Sequence, residues 1–265
     1  MSKIRFSRRH LTIPYALFLL LFVVLPLLLI VYYAFTDSDG RFSFSNLTMF
    51  FSNPVRITIL INSIIIGAFN TALCILIGYP IALIISNKKY NKSGIIFLLF
   101  IMPMWINFVL RTAATRDLLY AIGIDGATSP IASTMIGMVY NYLPFAILPM
   151  YTTMLKMDKN LIEASYDLGG NKFVTFIKTI IPMSMPGVVS AATMVFMPTM
   201  SSYVICDILG NGKVYLIGKS IQESFDNSLW NTGSFMALVM LTMIGISLLI
   251  TKNVKKEENV RGSIW

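Results

Sequence analysis

Charged residues are scarce in this sequence, at 12% of 265 residues. Soluble domains carry about 25% charged side chains, so the composition excludes an ordinary soluble protein. Hydrophobic residues make up 56% of the chain, and its mean hydropathy is +0.73. With 18 Phe and 12 Tyr, the chain also has too much apolar surface for a disordered coil. An integral membrane protein is the class that remains.

Cysteine and histidine are almost absent. Cys74 and Cys206 are too few and too far apart for a disulfide framework, and the single His10 adds no metal-binding spacing. We interpret both cysteines as packing residues. The sequence therefore predicts neither a metal site nor a cofactor.

Six hydrophobic stretches are long enough to cross a hydrocarbon core of ~30 Å, which takes ~20 helical residues. They lie at about 11–35, 57–86, 94–118, 133–155, 183–205 and 232–251. The sequence predicts an all-α membrane protein in which residues 1–265 form a single transmembrane domain. Residues 156–182 are the connection between the fourth and fifth spans.

The net charge of +9 does not indicate nucleic-acid binding, because the basic residues lie between apolar runs and not on one face. Most of them fall in the N-terminus, the second and fourth connections and the C-terminal tail. Cytoplasmic segments of membrane proteins carry an excess of Lys and Arg. We therefore expect a multi-pass protein of the plasma membrane, embedded in the lipid bilayer, with no nucleic-acid partner and both termini in the cytoplasm.

The chain shows no energy source of its own. It has no G-x-x-x-x-G-K-[ST] nucleotide loop, and none of its twelve acids lies in the middle of a predicted span. Carriers driven by protons or sodium normally keep an ionisable group there, although backbone carbonyls can also hold sodium. We therefore expect no catalytic residues, and an energy source in a partner protein. A stand-alone carrier is the alternative.

The fourth connection, 156–182, is the most informative segment. Asp158 can cap a short helix that the Gly169–Gly170 pair ends, and Asn171 can cap a second helix that Pro182 ends. This pattern predicts a helix-turn-helix at the membrane interface, polar on one face and apolar on the other. An ordinary amphipathic connection packed on lipid headgroups explains it equally well.

A family signature distinguishes the two interpretations. Glu163-Ala164-Ser165, Gly169 and Ile181-Pro182 resemble the E-A-A-x3-G-x9-I-x-L-P signature of ABC importer permeases, with Ser165, Thr179 and Ile181 as departures. In that family this loop docks into a groove of a cytoplasmic ATPase dimer. The resemblance implies an ATPase-coupling loop that includes Glu163, Ala164, Ser165, Asp167, Gly169 and Pro182. Small residues there would allow close approach to a partner, and Gly169 would supply a turn with positive φ.

Further segments, at 102–112, 141–151 and 198–204, are similar to one permease of the spermidine/putrescine importers. The similarity covers nearly the whole chain and favours the PotB-type subunit over its PotC-type companion. It implies the type I importer permease (MetI-like) fold and a non-catalytic permease subunit that forms half of a polyamine pathway. The implied partners are an ATPase dimer, a second homologous permease and an extracytoplasmic polyamine-binding protein. An importer of another small solute is the alternative.

Three residues are candidates for the substrate pathway. Trp105 lies near the middle of the third predicted span, where its ring face could meet an ammonium group, although a packed core Trp explains it too. Tyr203 and Asp207 are four residues apart at the outer end of the fifth span, and so share a helical face. A carboxylate beside an aromatic ring suits an ammonium group, while a solvated loop acid is the alternative for Asp207.

Two further expectations concern the outer side. Glu223 and Asp226, in the last outer connection, are candidate contacts for the binding protein, or else solvated acids. Arg111 lies far along the third span, so we expect its side chain to reach the outer headgroups or to pair with an acid.

Overall fold

The computed structural model describes residues 12–37, 39–87 and 94–262, with side chains up to residue 249. The regular elements within these ranges are helices, apart from one isolated β-bridge between Thr36 and Phe42. The basic clusters before residue 12 and at 88–92, on which the predicted orientation depends, lie outside the described residues. In chain order the helices are α1 (Thr12–Ala34), α2 (Ser45–Ser52), α3 (Pro54–Ser86), α4 (Ile95–Trp105), α5 (Phe108–Ala121), α6 (Pro130–Leu155), α7 (Lys159–Asp167), α8 (Lys172–Met200), α9 (Tyr203–Ile208), α10 (Ile217–Asp226) and α11 (Trp230–Gly262).

Over the part of the chain that the structure describes, five helices are long and apolar enough to cross a membrane: α1, α3, α6, α8 and residues 230–249 of α11. α4 and α5 reach that length only as a pair, and they meet at a bend of 99°. This differs from the single helix expected over 94–118. The side chain of Asn107 accepts hydrogen bonds from the amides of Val109 (3.0 Å) and Leu110 (3.3 Å), so a new helix starts there with its own cap.

Prolines within two spans, Pro26 in α1 and Pro182 in α8, do not end their helices. In α1 the amide of Leu25 donates to the carbonyl of Leu20, and in α8 the amide of Ile181 donates to that of Phe176. Each is a π turn directly before a proline, and the wider turn accommodates the ring and the missing donor. The expectation that Pro182 ends the second loop helix is therefore wrong, because α8 runs through it.

The chain forms two compact units, where the sequence predicts a single domain. The first contains residues up to 57 and residues 220–242. In this unit the side-chain amide of Asn46 donates to the backbone carbonyls of Ala34 (3.1 Å) and Thr36 (3.0 Å). The rings of Phe50 and Phe235 pack with centroids 5.6 Å apart. These contacts hold α2 against the end of α1 and the start of α11.

The second unit, residues 58–219 and 243–265, contains the core that positions the candidate sites. α3, α6, α8 and α9 pack here around buried side chains, among them Cys74, Met138, Ile147, Met150, Val195 and Cys206. The side-chain amide of Asn70 donates to the hydroxyl of Thr199 at 2.8 Å, so each of these two buried polar side chains has a hydrogen-bond partner inside the core. Both cysteines are fully buried, so their interpretation as packing residues is confirmed.

Candidate functional site

The predicted coupling loop is a helix-turn-helix whose first helix, α7, is capped at both ends. The carboxylate of Asp158 accepts a hydrogen bond from the amide of Asn160 at 2.9 Å. At the other end the amide of Gly170 donates to the carbonyl of Ser165 (3.0 Å), and that of Gly169 to Tyr166 (2.9 Å). These two bonds form a Schellman motif, which satisfies carbonyls that the helix end would leave unpaired.

The two glycines of this turn, Gly169 and Gly170, are required for different reasons. Gly169 has φ +83°, the left-handed conformation predicted for it, and a Cβ there would meet nothing within 4 Å. Gly170 has no such strain, but a Cβ there would lie 2.6 Å from the carbonyl oxygen of Ser165. Gly169 is therefore required by backbone conformation, and Gly170 by close approach to α7.

Ser165 and Thr175 join the two helices of the loop. Asn171 caps α8 by accepting from the amide of Val174 at 2.9 Å, as the sequence predicts. The hydroxyls of Ser165 and Thr175 lie 3.0 Å apart, and Thr175 is fully buried. Ser165 stands where the importer signature has alanine, and the buried hydroxyl of Thr175 explains the exchange, because a buried polar group needs a partner.

The outer surface of the loop is exposed and partly apolar. None of the residues of α7 is buried, and Glu163, Ala164 and Asp167 are all exposed. Leu168 is 89% exposed and Phe173 71%. Large exposed apolar side chains are typical of a surface that binds another protein or the membrane.

The loop is continuous with a span. Because the π turn carries the helix past Pro182, α8 extends over 29 residues, or ~43 Å at ~1.5 Å per residue. Its first turns belong to the loop, and its last turns reach Thr199 in the core of the second unit. The loop and the span therefore share one continuous helix, α8.

The expectation that Arg111 reaches the outer headgroups or pairs with an acid is wrong: its side chain is buried, and none of the acids in the described part of the chain forms an ion pair with it. It is only 6% exposed, and its Nε donates to Oδ1 of Asn141 at 2.8 Å. Its Nη1 donates to the carbonyl of Pro103 at 2.5 Å, and its Cζ lies 5.9 Å from the ring of Phe108 and 5.8 Å from that of Tyr140. The break before α5 turns Arg111 back toward the end of α4, where the carbonyl of Pro103 also accepts from the amide of Ile106 at 3.3 Å.

Trp105 lies in the 3₁₀ turn that ends α4, immediately before the break. Its side chain is 87% exposed, so the alternative of a Trp packed in the core of this chain is wrong. A groove of about 600 Å³ follows the break, lined by Ile106, Leu110, Arg111, Ala114, Leu118 and Tyr140.

Tyr203 and Asp207 lie four residues apart on α9, but Asp207 already has a cationic partner. Its Oδ1 is 2.7 Å from Nζ of Lys219, in a pair whose lysine side chain is 6% exposed and whose carboxylate is 50% exposed. Tyr203 is 41% exposed. Asp207 therefore offers no free carboxylate to a substrate in this state.

Glu223 and Asp226 both lie on α10, as neighbours one turn apart. Asp226 is exposed and accepts from the side-chain amide of Gln222 at 3.0 Å, while Glu223 is half-buried. Over the described residues, no three His, Cys, Asp or Glu side chains cluster so as to hold a metal ion.

Comparison with known proteins identifies the family. Residues 75–255 match the model of the binding-protein-dependent transport system inner membrane component family. The chain belongs to this family. The capped loop at 156–182 and the spans on either side of it fall within the matched residues.

The permease is similar to two named transport proteins. It is 31% identical over 253 residues to the spermidine/putrescine transport system permease protein PotB of Haemophilus influenzae, covering 88% of each chain. It is 30% identical over 253 residues to PotB of Escherichia coli strain K12, covering 88% of this chain and 92% of the relative. These relatives are transport permeases, and the predicted resemblance to PotB-type permeases is confirmed.

Solved structures support the fold at lower sequence identity. A chain of a bacterial alginate ABC transporter, crystallised with a pentasaccharide-bound periplasmic protein, superposes on the permease with a TM-score of 0.72. The identity is 12%, and the match covers 94% of the permease and 93% of that chain. The predicted all-α, type I importer permease fold is thus confirmed.

Sequence reasoning missed two contacts that the structure shows. Lys219 lies 12 residues after Asp207 in a connection, and nothing in the local pattern marks it as a buried partner. Asn141, the partner of Arg111, lies 30 residues away on α6. An arginine within an apolar run was the one available signal, because a buried cation there requires hydrogen-bond acceptors nearby.

Proposed function

We propose that this permease forms half of the translocation pathway of an ATP-driven ABC importer for polyamines, spermidine or putrescine, and couples to a separate ATPase through the loop 156–182. The observation that carries the coupling role is the continuity of the loop with the span α8. The polyamine assignment is supported by the relatives in Haemophilus influenzae and Escherichia coli, which are spermidine/putrescine transport permeases.

The ATPase dimer docks on the exposed face of the loop. Leu168 and Phe173 supply apolar contacts, and Glu163 supplies an anion for a basic partner. The Schellman turn at Gly169 and the Ser165–Thr175 hydrogen bond fix the angle between α7 and α8. Closure of the ATPase therefore acts on α8 as on a rigid lever.

A cavity behind α7 lets the loop respond to this force. It has a volume of about 330 Å³ and lies between the end of α3, the end of α6 and α7, where Leu83, Met154 and Ile162 line it. Because interiors are otherwise close-packed, a space of this size allows α7 to shift without displacing the core.

The orientation of the permease and its partner proteins follow from its role as an importer subunit. Both termini and the loop 156–182 lie in the cytoplasm, and the whole chain acts as one permease domain in the plasma membrane. ATP is hydrolysed by the partner. A second homologous permease completes the pathway on the side of the exposed Trp105, and an extracytoplasmic polyamine-binding protein meets Glu223 and Asp226 on α10.

The test is reconstitution of the assembled importer. We expect the tagged chain to co-purify with an ATPase and a second permease. Proteoliposomes containing this complex should accumulate radiolabelled spermidine when ATP and the binding protein are supplied. The matched control is the chain reconstituted alone, which we expect to accumulate nothing.

Three outcomes contradict the proposal in different ways. Accumulation against a gradient by the chain alone would make it a stand-alone carrier. ATP-driven uptake of another solute, with spermidine and putrescine neither transported nor competing, would make it an importer of a different substrate class. Purification without an ATPase or a second permease, from cells that express both, would remove the coupling role.

A further inference from the structure

Lys219 is a buried lysine held by three kinds of group. Its side chain is 6% exposed, and its Nζ lies 2.7 Å from Oδ1 of Asp207. Nζ also donates to the carbonyl of Gly212 at 3.1 Å and lies 4.6 Å from the ring centroid of Tyr215. An anion, a neutral acceptor and an aromatic face together match the needs of a primary ammonium, which offers three donors and a positive charge.

The position of Lys219 is otherwise unfavourable for a cation. It lies in the first turn of α10, whose N-terminus carries partial positive charge, and burial removes the hydration of its ammonium group. The backbone there has little freedom to retreat. The amide of Ile217 donates to the hydroxyl of Ser63 at 2.7 Å, and a Cβ on Gly218 would come within 2.5 Å of the backbone of Ser201. The surrounding groups must therefore bind an ammonium well enough to offset these costs.

We propose that Asp207, the carbonyl of Gly212 and the ring of Tyr215 form a binding site for a primary alkylammonium group, and that Lys219 occupies this site as a tethered substitute. The side chain of lysine is four methylenes and an ammonium, the same chemistry as one end of putrescine or of the aminobutyl arm of spermidine. Asp207 is half exposed, so the site opens to solvent.

The role in transport rests on the proposed polyamine function. The ammonium of an incoming polyamine displaces Lys219 and takes over its contacts. Lys219 keeps the carboxylate of Asp207 neutralised when substrate is absent, and competes with substrate when it arrives. Removal of the lysine side chain should therefore expose a site for small alkylammonium ions, which the wild-type protein keeps filled.

The first experiment measures rescue of Lys219→Ala by n-propylammonium, which replaces the deleted atoms. The full-length protein is purified with its partner subunits in lipid nanodiscs, and its apparent Tm is followed. We expect propylammonium, and spermidine likewise, to raise the Tm of Lys219→Ala by a few degrees, and n-propanol to leave it unchanged. With propylammonium, the wild-type protein and the double variant Lys219→Ala with Asp207→Asn should show no specific shift.

Lys213→Ala is the matched control. Lys213 is a nearby lysine whose Nζ donates to the carbonyl of Ala127 at 2.7 Å, but its hydrogen bond is exposed. Propylammonium should not stabilise this variant. An equal shift in Lys213→Ala, or a shift in Lys219→Ala that survives Asp207→Asn, would overturn the site.

A second variant decides the question if Lys219→Ala does not accumulate. In Lys219→Cys, the thiol is modified with a cationic aminoethyl thiosulfonate and with a neutral methyl thiosulfonate, and the ratio of the two rates is measured. We expect this cation-to-neutral ratio to be about tenfold higher in Lys219→Cys than in the double variant Lys219→Cys with Asp207→Asn, a difference that corresponds to ~1.4 kcal/mol. The native Cys74 and Cys206 are fully buried and give little background. A cation-to-neutral ratio that ignores Asp207 overturns the site.

Failure of the proposed function gives a different pattern. If the wild-type importer accumulates no polyamine in proteoliposomes while propylammonium still rescues Lys219→Ala, the ammonium site stands and the polyamine assignment falls. If the importer accumulates polyamine but neither variant responds to alkylammonium, the pair is only structural and the inference falls.

Discussion

Replacement of Arg111 by methionine should destabilise the permease by removing the donor to two acceptors. The substitution keeps an unbranched apolar chain and removes the guanidinium, so the carbonyl of Pro103 and Oδ1 of Asn141 each lose a hydrogen bond. The carbonyl of Pro103 keeps the amide of Ile106 at 3.3 Å, whereas a buried acceptor that loses its partner, as Oδ1 of Asn141 does, costs about 1–3 kcal/mol. Removal of a charge that is buried away from water offsets part of these losses. We expect a net loss of about 1–3 kcal/mol in the free energy of unfolding.

A double-mutant cycle isolates the Arg111–Asn141 contribution. Asn141→Leu removes the acceptor of Nε and leaves the guanidinium partly unpaired, so it should also destabilise. Neutral hydrogen bonds between membrane helices show coupling energies of ~0.6 kcal/mol, while bonds to a charged group reach ~1.5–3 kcal/mol. We expect the double variant to lose less free energy of unfolding than the two single variants lose together, and the difference to be ~1.5–3 kcal/mol, as for a bond to a charged group.

Unfolding by SDS titration in mixed micelles, followed by far-UV circular dichroism, gives the four free energies. Arg116→Met is the matched control on the same helix. Arg116 pairs with Asp117 at 2.9 Å, but both side chains are more than half exposed, at 54% and 70%. An exposed pair of this kind contributes under ~1 kcal/mol. If the losses from the substitutions at 111 and 141 add within ~0.5 kcal/mol, the guanidinium of Arg111 and the amide of Asn141 are not coupled as the structure indicates.

Two predictions concern the coupling loop. Leu168→Asp should abolish ATPase co-purification while the protein still inserts, because the side chain is 89% exposed. The control is Ile122→Asp, at a site 65% exposed in another connection, which should have no effect on co-purification. Equal loss of the ATPase in both variants would contradict a specific docking face. Gly169→Asn should retain ATP-driven uptake, and Gly169→Val should lose most of it, since φ +83° costs a branched side chain about 1–2 kcal/mol and Asn tolerates it. Similar uptake by the two variants would show that the left-handed turn is not what the loop requires.

The local features of the loop could be predicted from the sequence because they depend on neighbouring residues. Asp158 and Asn171 cap the helices that follow them, and Gly169 adopts the positive φ predicted for it. Capping and left-handed turns are decided within a few residues. The hydrogen bond between Ser165 and Thr175 could not be predicted, since it requires the two helices to meet.

The charged side chains show the limit of sequence reasoning more clearly. The sequence places Arg111 in the third predicted span and Asp207 at the outer end of the fifth, but it does not identify the partners that decide their environment. Asn141 and Lys219 come from other helices, 30 and 12 residues away. A buried charge is stable only with partners, and those partners are set by tertiary packing.

Pro103 and Pro182 show why proline alone does not decide whether a span breaks. Both lie in apolar runs, and both remove a backbone donor. At Pro182 a π turn absorbs the ring, and α8 continues as one rod. At Pro103 the chain has an alternative. Asn107 caps a new helix, and Arg111 donates to the carbonyl of Pro103, which also accepts from the amide of Ile106 in the 3₁₀ turn. A helix inside a membrane breaks where other groups take over its hydrogen bonds, and otherwise only bends. The same missing donor thus leaves α8 continuous through Pro182 and accompanies a sharp bend in the span that carries Trp105.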